Sequence, residues 1–312
     1  MSDLTETAAV LPYHFKNVTY TAPLHGAAVI FTGAVHGDEV CGTHAILRMI
    51  SEIESGQLQI KSGMVTFVPV TNPLAYQRGE HTGERNLNRK LMPTLKPGQF
   101  EDYVANWLCP LLAQHDVLLD LHSFDEPGDP FVMVGPENNR GPLEAFQYAE
   151  KEQALALRLG VRRLVDGWLS AHARGENAQF AIGTAEYMRS VGGYGLTVEC
   201  GQHRDVQAQE VAYQAMLNTL RFLDMLGGDK PQRVSDVVAI RLINVVEKLH
   251  EDDSLSRSWS NFDAVVEGDI VAIRHDGSQV VAESDGYVLL PDSHALAGGE
   301  WFYLAKAHTR FL

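Results

Sequence analysis

Four short apolar runs constrain this chain more than any other feature: residues 28–35, 64–70, 117–121 and 196–199. Each has strand length and is rich in β-branched residues or leucine, as expected of strands buried on both faces. Between them lie helical patterns. Residues 38–55 place Val40, Cys41, Ile46, Leu47, Ile50 and Ile53 close to a 3.6-residue period, and residues 101–114 and 205–226 behave alike. Strands alternating with helices predict an α/β fold, a helix-covered mixed sheet. The pattern changes at Gly227-Gly228-Asp229-Lys230-Pro231. Beyond it, strand-like runs at 269–273, 280–282 and 287–290 are broken by Asp276-Gly277 and Asp285-Gly286, as in a small all-β unit. The expected division is residues 1–228, carrying the chemistry, and 229–312, a small β domain shaping the entrance.

Apolar residues make up 45% of the 312, enough for a sizeable core rather than a disordered chain. The net charge of −15 argues against a nucleic-acid partner, which needs a basic face. No apolar run is long enough to span a membrane, and Met1–Thr7 shows neither the basic start nor the apolar stretch of a signal peptide. Cys41, Cys109 and Cys200 are odd in number and far apart, which fits core filling in a reducing cytoplasm. A homo-oligomer is compatible with all of this.

Function is expected where the apolar runs end. The first leads into Gly33-Ala34-Val35-His36-Gly37-Asp38-Glu39, which places His36 and Glu39 at the carboxyl end of a strand, where open α/β sheets build their sites. An imidazole and a carboxylate three residues apart can converge on one Zn²⁺. Without further support, Asp38 and Glu39 could equally serve the following helix dipole. The third run ends Asp120-Leu121-His122, with Asp120 on the same strand face as His122, suited to orient a metal-bound imidazole. Asp and His are costly to bury unpaired, so their presence here favours a site. The fourth ends in Glu199. In addition, Asn86-Leu87-Asn88-Arg89 offers Arg89, with Asn88 beside it, as a fork for a substrate carboxylate.

The order His36-x-x-Glu39, Asn88-Arg89, Asp120-Leu-His122, Glu199 resembles the succinylglutamate desuccinylase/aspartoacylase branch of the zinc carboxypeptidase-like superfamily, over roughly residues 27–201. The resemblance implies one zinc per chain on His36, Glu39 and His122, with Glu199 as the catalytic glutamate. It also implies Asn88 and Arg89 as carboxylate binders. Arg189-Ser190, ten residues before Glu199, match a pair that reads a second carboxylate in aspartoacylases. Arg189 would serve equally as the cationic end of a helix closed by Gly192-Gly193. One departure stands out. Where the family has an arginine that polarises the scissile carbonyl, this chain has His81, flanked by Arg78 and Arg85, so the oxyanion donor is His81 or one of those two. The expected activity is zinc-dependent hydrolysis of the amide bond of a small N-acyl amino acid. A metallocarboxypeptidase acting on short peptides and an inactive binding protein of the same fold are the alternatives. A serine hydrolase is disfavoured, since there is no Gly-x-Ser-x-Gly elbow.

Overall fold

The computed structural model describes residues 13–137, 146–172 and 181–311. The N-terminal segment on which the signal-peptide expectation rests lies outside them. The first half runs β1 (Val18–Thr21), β2 (Leu24–Gly33), α1 (Cys41–Glu54), β3 (Ser62–Val68), α2 (Pro73–Arg78), α3 (Phe100–Leu112) and β4 (Val117–Phe124). There follow β5 (Phe131–Met133), α4 (Ala149–Ala156), β6 (Arg163–Asp166), α5 (Trp168–His172), α6 (Thr184–Ser190), β7 (Tyr194–Gln202) and α7 (Val206–Phe222). The remainder is β8 (Val238–Glu247), β9 (Ser254–Leu255), β10 (Asp263–Val265), β11 (Ile270–Ile273), β12 (Gln279–Val281), β13 (Gly286–Leu289) and β14 (Glu300–Ala307).

The four expected strands are β2, β3, β4 and β7. They form the parallel centre of an eleven-stranded sheet ordered β1-β3-β2-β4-β7-β5-β6-β8-β14-β13-β10. Every residue of β4 is buried, which is why its sequence shows no polar alternation. Helices α1 and α7 cover one face, where Phe31, Phe67, Ile46 and Met216 share a core; Phe31 and Phe67 stack at 5.5 Å. Burying such a side chain contributes about 1.5–3 kcal/mol. The other face packs Ile30, Val68 and Leu118 against α3 through Val104 and Leu108. Helix α1 starts at Cys41, later than its periodicity suggests, because Gly37 to Glu39 form a bend instead.

Beyond residue 228 the chain extends the main sheet. Strand β5 reverses direction against β7; β6 and β8 run parallel to β5, and β14, β13 and β10 continue antiparallel. A separate three-stranded sheet, β12-β11-β9, packs with Trp259 and Trp301 in a core of its own. Another core joins the two regions through Phe124, Phe131, Val165, Ile240 and Tyr303. None of the described helices is long and apolar enough to cross a membrane.

Candidate active site

Parallel pairing aligns the carboxyl ends of β2, β4 and β7. Gly33 lies opposite Leu121, and His122 lies opposite Glu199. The bend after β2 then carries His36 and Glu39 over the end of β4. The result is a buried trio, His36, Glu39 and His122, whose ligand atoms all lie within 4.8 Å of one another. His36 Nδ1 stands 2.8 Å from Glu39 Oε1, and His122 Nδ1 stands 2.9 Å from Glu39 Oε2. The backbone N–H of Ser123 donates to Glu39 Oε2 at 3.0 Å.

Each imidazole is held at its far nitrogen. His122 Nε2 lies 2.8 Å from Asp120 Oδ2, and Asp120 in turn accepts from the Thr32 hydroxyl at 2.6 Å and from the Thr184 hydroxyl. His36 Nε2 lies 3.1 Å from Asn86 Oδ1, which also accepts from the Asn88 N–H at 2.8 Å. Both rings therefore turn Nδ1 to the common centre, the arrangement that oriented metal-binding histidines show. Burial, with His81 close by, pushes His36 down to about 4 and leaves it neutral at pH 7, the form that ligates a metal. For His122 burial works the same way, but the Asp120 and Glu39 carboxylates outweigh it and raise the ring well above the usual range.

Glu199 is buried beside this group, and its Oε2 is enclosed without a hydrogen-bond partner. Burial, reinforced by Glu39 and Asp120 and opposed by His122, pushes its carboxyl well above the usual range. A buried carboxylate oxygen left unpaired is costly and marks a place where structure yields to chemistry.

Of the three candidates for the oxyanion donor, His81 stands at the site. Its ring stacks on His36 at 3.7 Å. Helix α2 delivers it: Gly79, in the left-handed conformation (φ 63°), caps the helix and turns the chain back, where the Glu80 carbonyl accepts from the Gly37 N–H at 3.0 Å. Gly37 has to be glycine, since a Cβ there would lie 2.0 Å from the Ala75 backbone. Arg85 is committed to Asp102 at 3.0 Å and to the carbonyls of Asn86 and Arg89. Arg78 donates to the Gly83 carbonyl.

Asn88 and Arg89 sit on a loop organised by the fully buried Glu101 of α3. Its carboxylate accepts from the backbone N–H groups of Gly83, Glu84 and Arg85 and from Asn72 Nδ2. Asn88 Oδ1 accepts from the Thr184 N–H at 2.9 Å. The Arg89 guanidinium is engaged by Glu300 of β14: Nε donates to Oε1 at 2.7 Å, and a second bond joins its NH2 group to Oε2. It also lies 4.7 Å from the Trp168 ring, and Tyr303 donates to the same Glu300 carboxylate. Arg89 acts electrostatically on His81.

Arg189 is not brought to this group. It lies near the start of β7, where Glu152 accepts from its Nε at 2.9 Å and from its NH2 group at 3.1 Å. The same guanidinium donates to Glu186 and to the Gly195 carbonyl near the start of β7. The spacing from Arg189 to Glu199 runs through the end of α6, a short turn and β7 as far as Glu199, which leaves Arg189 beside the start of the strand rather than at the trio. Sequence reasoning missed Asn86, Thr32, Thr184 and Glu300. Asn86 was legible, since it stands in the Asn86–Arg89 motif; Glu300 carried no signal, being 211 residues from its partner.

Residues 25–226 match the succinylglutamate desuccinylase/aspartoacylase catalytic domain, and the chain belongs to that family. Among solved structures, it is similar to the product-bound ectoine utilization protein EutE (DoeB) from Ruegeria pomeroyi, at TM-score 0.69 and 20% identity over 93% of this chain and 88% of the other. It is likewise similar to a succinylglutamate desuccinylase from Silicibacter sp. TM1040, at TM-score 0.72 and 18% identity over 94% and 89%. An aspartoacylase family protein from Mesorhizobium loti gives TM-score 0.68 and 20% identity over 95% and 90%. At these identities the likeness is one of fold. No protein of curated function matches the chain in sequence.

Proposed function

We propose that this chain is a zinc-dependent amidohydrolase that cleaves the amide bond of a small N-acyl amino acid. The observation that carries the reading is the meeting of the buried His36–Glu39–His122 trio with the enclosed, unpartnered carboxylate oxygen of Glu199. Two imidazoles and one carboxylate suit zinc with an open fourth position, and the anchoring of both far nitrogens fits that use. When bound, zinc supplies Lewis acidity that polarises a carbonyl and makes water easier to deprotonate. Glu199 takes the water proton and passes it to the leaving amine. His81, stacked on His36, marks the side from which the developing oxyanion is met; one such donor is typically worth roughly 3 kcal/mol. Asn88 and Arg89 orient the substrate, whose carboxylate shares the Arg89 guanidinium with Glu300. Glu300 and Tyr303 bring residues after 228 to the entrance and favour small substrates over polypeptides.

The test is a hydrolysis screen of N-acetyl, N-formyl and N-succinyl amino acids on zinc-loaded protein, repeated after chelation. At least one substrate should turn over, lose turnover on chelation and regain it with zinc. Trimming of short peptides without any deacylation would overturn the reading.

A further inference from the structure

Two thiols lie beside the trio and have no part in the chemistry above. Cys41 opens α1 two residues after Glu39, and its Sγ donates to the His122 carbonyl at 3.4 Å. Cys200 follows Glu199 on β7, and its Sγ donates to the Val198 carbonyl at 3.4 Å. His122 lies opposite Glu199, so the two thiols come from neighbouring elements and meet at hydrogen-bond range. Both are free and enclosed, 4% and 1% exposed.

Core filling accounts for Cys109, which lies in the core on the other face of the sheet. It does not account for the groups behind Cys41. The Ser123 hydroxyl is at hydrogen-bond range of that thiol and stands 2.9 Å from His203 Nδ1. His203 is only half-buried, so thiol, hydroxyl and imidazole form a chain from the core toward the surface. A cysteine sulfur reacts as its thiolate, and such a chain gives the thiol proton a place to go.

We propose that Cys41 and Cys200 are a redox-active pair, which a peroxide converts to a disulfide that shuts the site down and a reductant reopens. The inference rests on the hydrolase reading above and names its regulation. Ser123 and His203 take the Cys41 proton, and the thiolate attacks one peroxide oxygen. The O–O bond breaks, Cys41 becomes a sulfenic acid, and the departing hydroxide recovers that proton as water. The Cys200 sulfur then attacks the Cys41 sulfur. The S–O bond breaks, a second water leaves with the Cys200 proton, and the S–S bond forms. Two electrons pass from the thiols to the peroxide. An S–S bond is about 2.05 Å long, far shorter than a contact between hydrogen-bonded thiols, so closure draws the start of α1 and the end of β7 together. Glu39, two residues from Cys41, and Glu199, next to Cys200, move with them, and the bond from Cys41 to the His122 carbonyl is lost. A misplacement of about 1 Å at such groups costs roughly 10²-fold in rate.

The experiment treats the zinc-loaded full chain with hydrogen peroxide, then with a phosphine reductant. It compares wild type, Cys109→Ala and the double variant Cys41→Ala with Cys200→Ala, each checked for folding by circular dichroism. Peptide mapping without reduction should show the Cys41 and Cys200 peptides joined, lighter by two hydrogens, in wild type and Cys109→Ala. Deacylation should fall by roughly 10²-fold as the link forms, and the reductant should reverse both. The double variant should keep its activity through the same treatment. Folded wild type that forms no such link overturns the proposal, as does equal inactivation of the double variant or a link that leaves turnover unchanged. A chain that forms the reversible link, releases zinc to a chelating dye as it does so, yet deacylates nothing before treatment keeps the redox pair and overturns the hydrolase reading.

Discussion

Arg189→Met should cost stability and leave substrate preference alone. The Glu152 carboxylate is fully buried and accepts four hydrogen bonds: two from Arg189, one from the Gly135 N–H at 2.6 Å and one from the Gly195 N–H at 3.0 Å. Methionine keeps the stem but leaves that carboxylate with backbone donors alone. Removing one partner of a buried ion pair costs about 3–5 kcal/mol. For a chain of this size each kcal/mol moves the melting temperature by roughly 2 °C, so the transition should fall by about 6–10 °C. Replacing both partners, in Glu152→Leu with Arg189→Met, should recover part of the loss, since the fully buried carboxylate is then gone and, among charged groups, only Glu186, which still accepts from the Gly183 N–H, has lost a partner. The assay is a thermal melt of both variants, beside kcat/KM for N-acetylaspartate and N-acetylalanine. Arg189 bonds to the Gly195 carbonyl near the start of β7, away from Glu199, so both substrates should respond alike. An unchanged melt with a loss of about 2 kcal/mol, roughly 30-fold, confined to the diacid would refute the reasoning and make Arg189 a substrate contact.

Glu199→Gln keeps shape and polarity but removes the proton acceptor; kcat should fall by at least about 10²-fold while metal content stays at the wild-type level. Near-normal turnover would make Glu199 structural. Asp120→Asn should weaken metal affinity by about 10–100-fold through loss of His122 orientation, read from competition with a chelating dye. Asp166 is a pH probe remote from the site: burial alone would raise its carboxyl, but bonds from Arg241 and Arg310 outweigh it and hold the group below its usual value. Its contribution is then complete above the unfolded value of about 3.9 and is lost as pH falls through the folded one. Asp166→Asn should accordingly be less stable than wild type at pH 7, and the gap should close below about pH 4 in denaturant melts. A gap that persists at acid pH would show that shape, not charge, is lost.

The sheet's centre was legible because strands buried on both faces leave unbroken apolar runs, and β2, β3, β4 and β7 all carry one. The trio and Glu199 were legible for a related reason: a polar residue that closes such a run has to be accounted for. Strands β5 and β6, of three and four residues, are too short to show a period. The helix expected from residue 38 begins at Cys41 because the intervening bend is spent on presenting Glu39. The continuation of the sheet beyond residue 228 was hidden, since β8 pairs with β6 across more than seventy residues, and local pattern carries no information on partners that distant. Arg189 shows where local pattern serves better than spacing. Of the two roles its sequence position offers, the structure shows the helix-end one, with Arg189 in the last turn of α6, while most of the spacing to Glu199 is strand β7.

The order of the sheet also bears on how copies of this chain can meet. Its outermost strands are β1, of four residues, and β10, of three. An unpaired edge is a template for another chain, and a very short one gives an incoming strand few amides to grip. Joining two such sheets edge to edge would add only a few ladder bonds at either end. A self-assembled form would therefore have to draw its strength from side-chain surfaces, and fusions or tags placed beside β1 or β10 should not seed fibrils by strand addition.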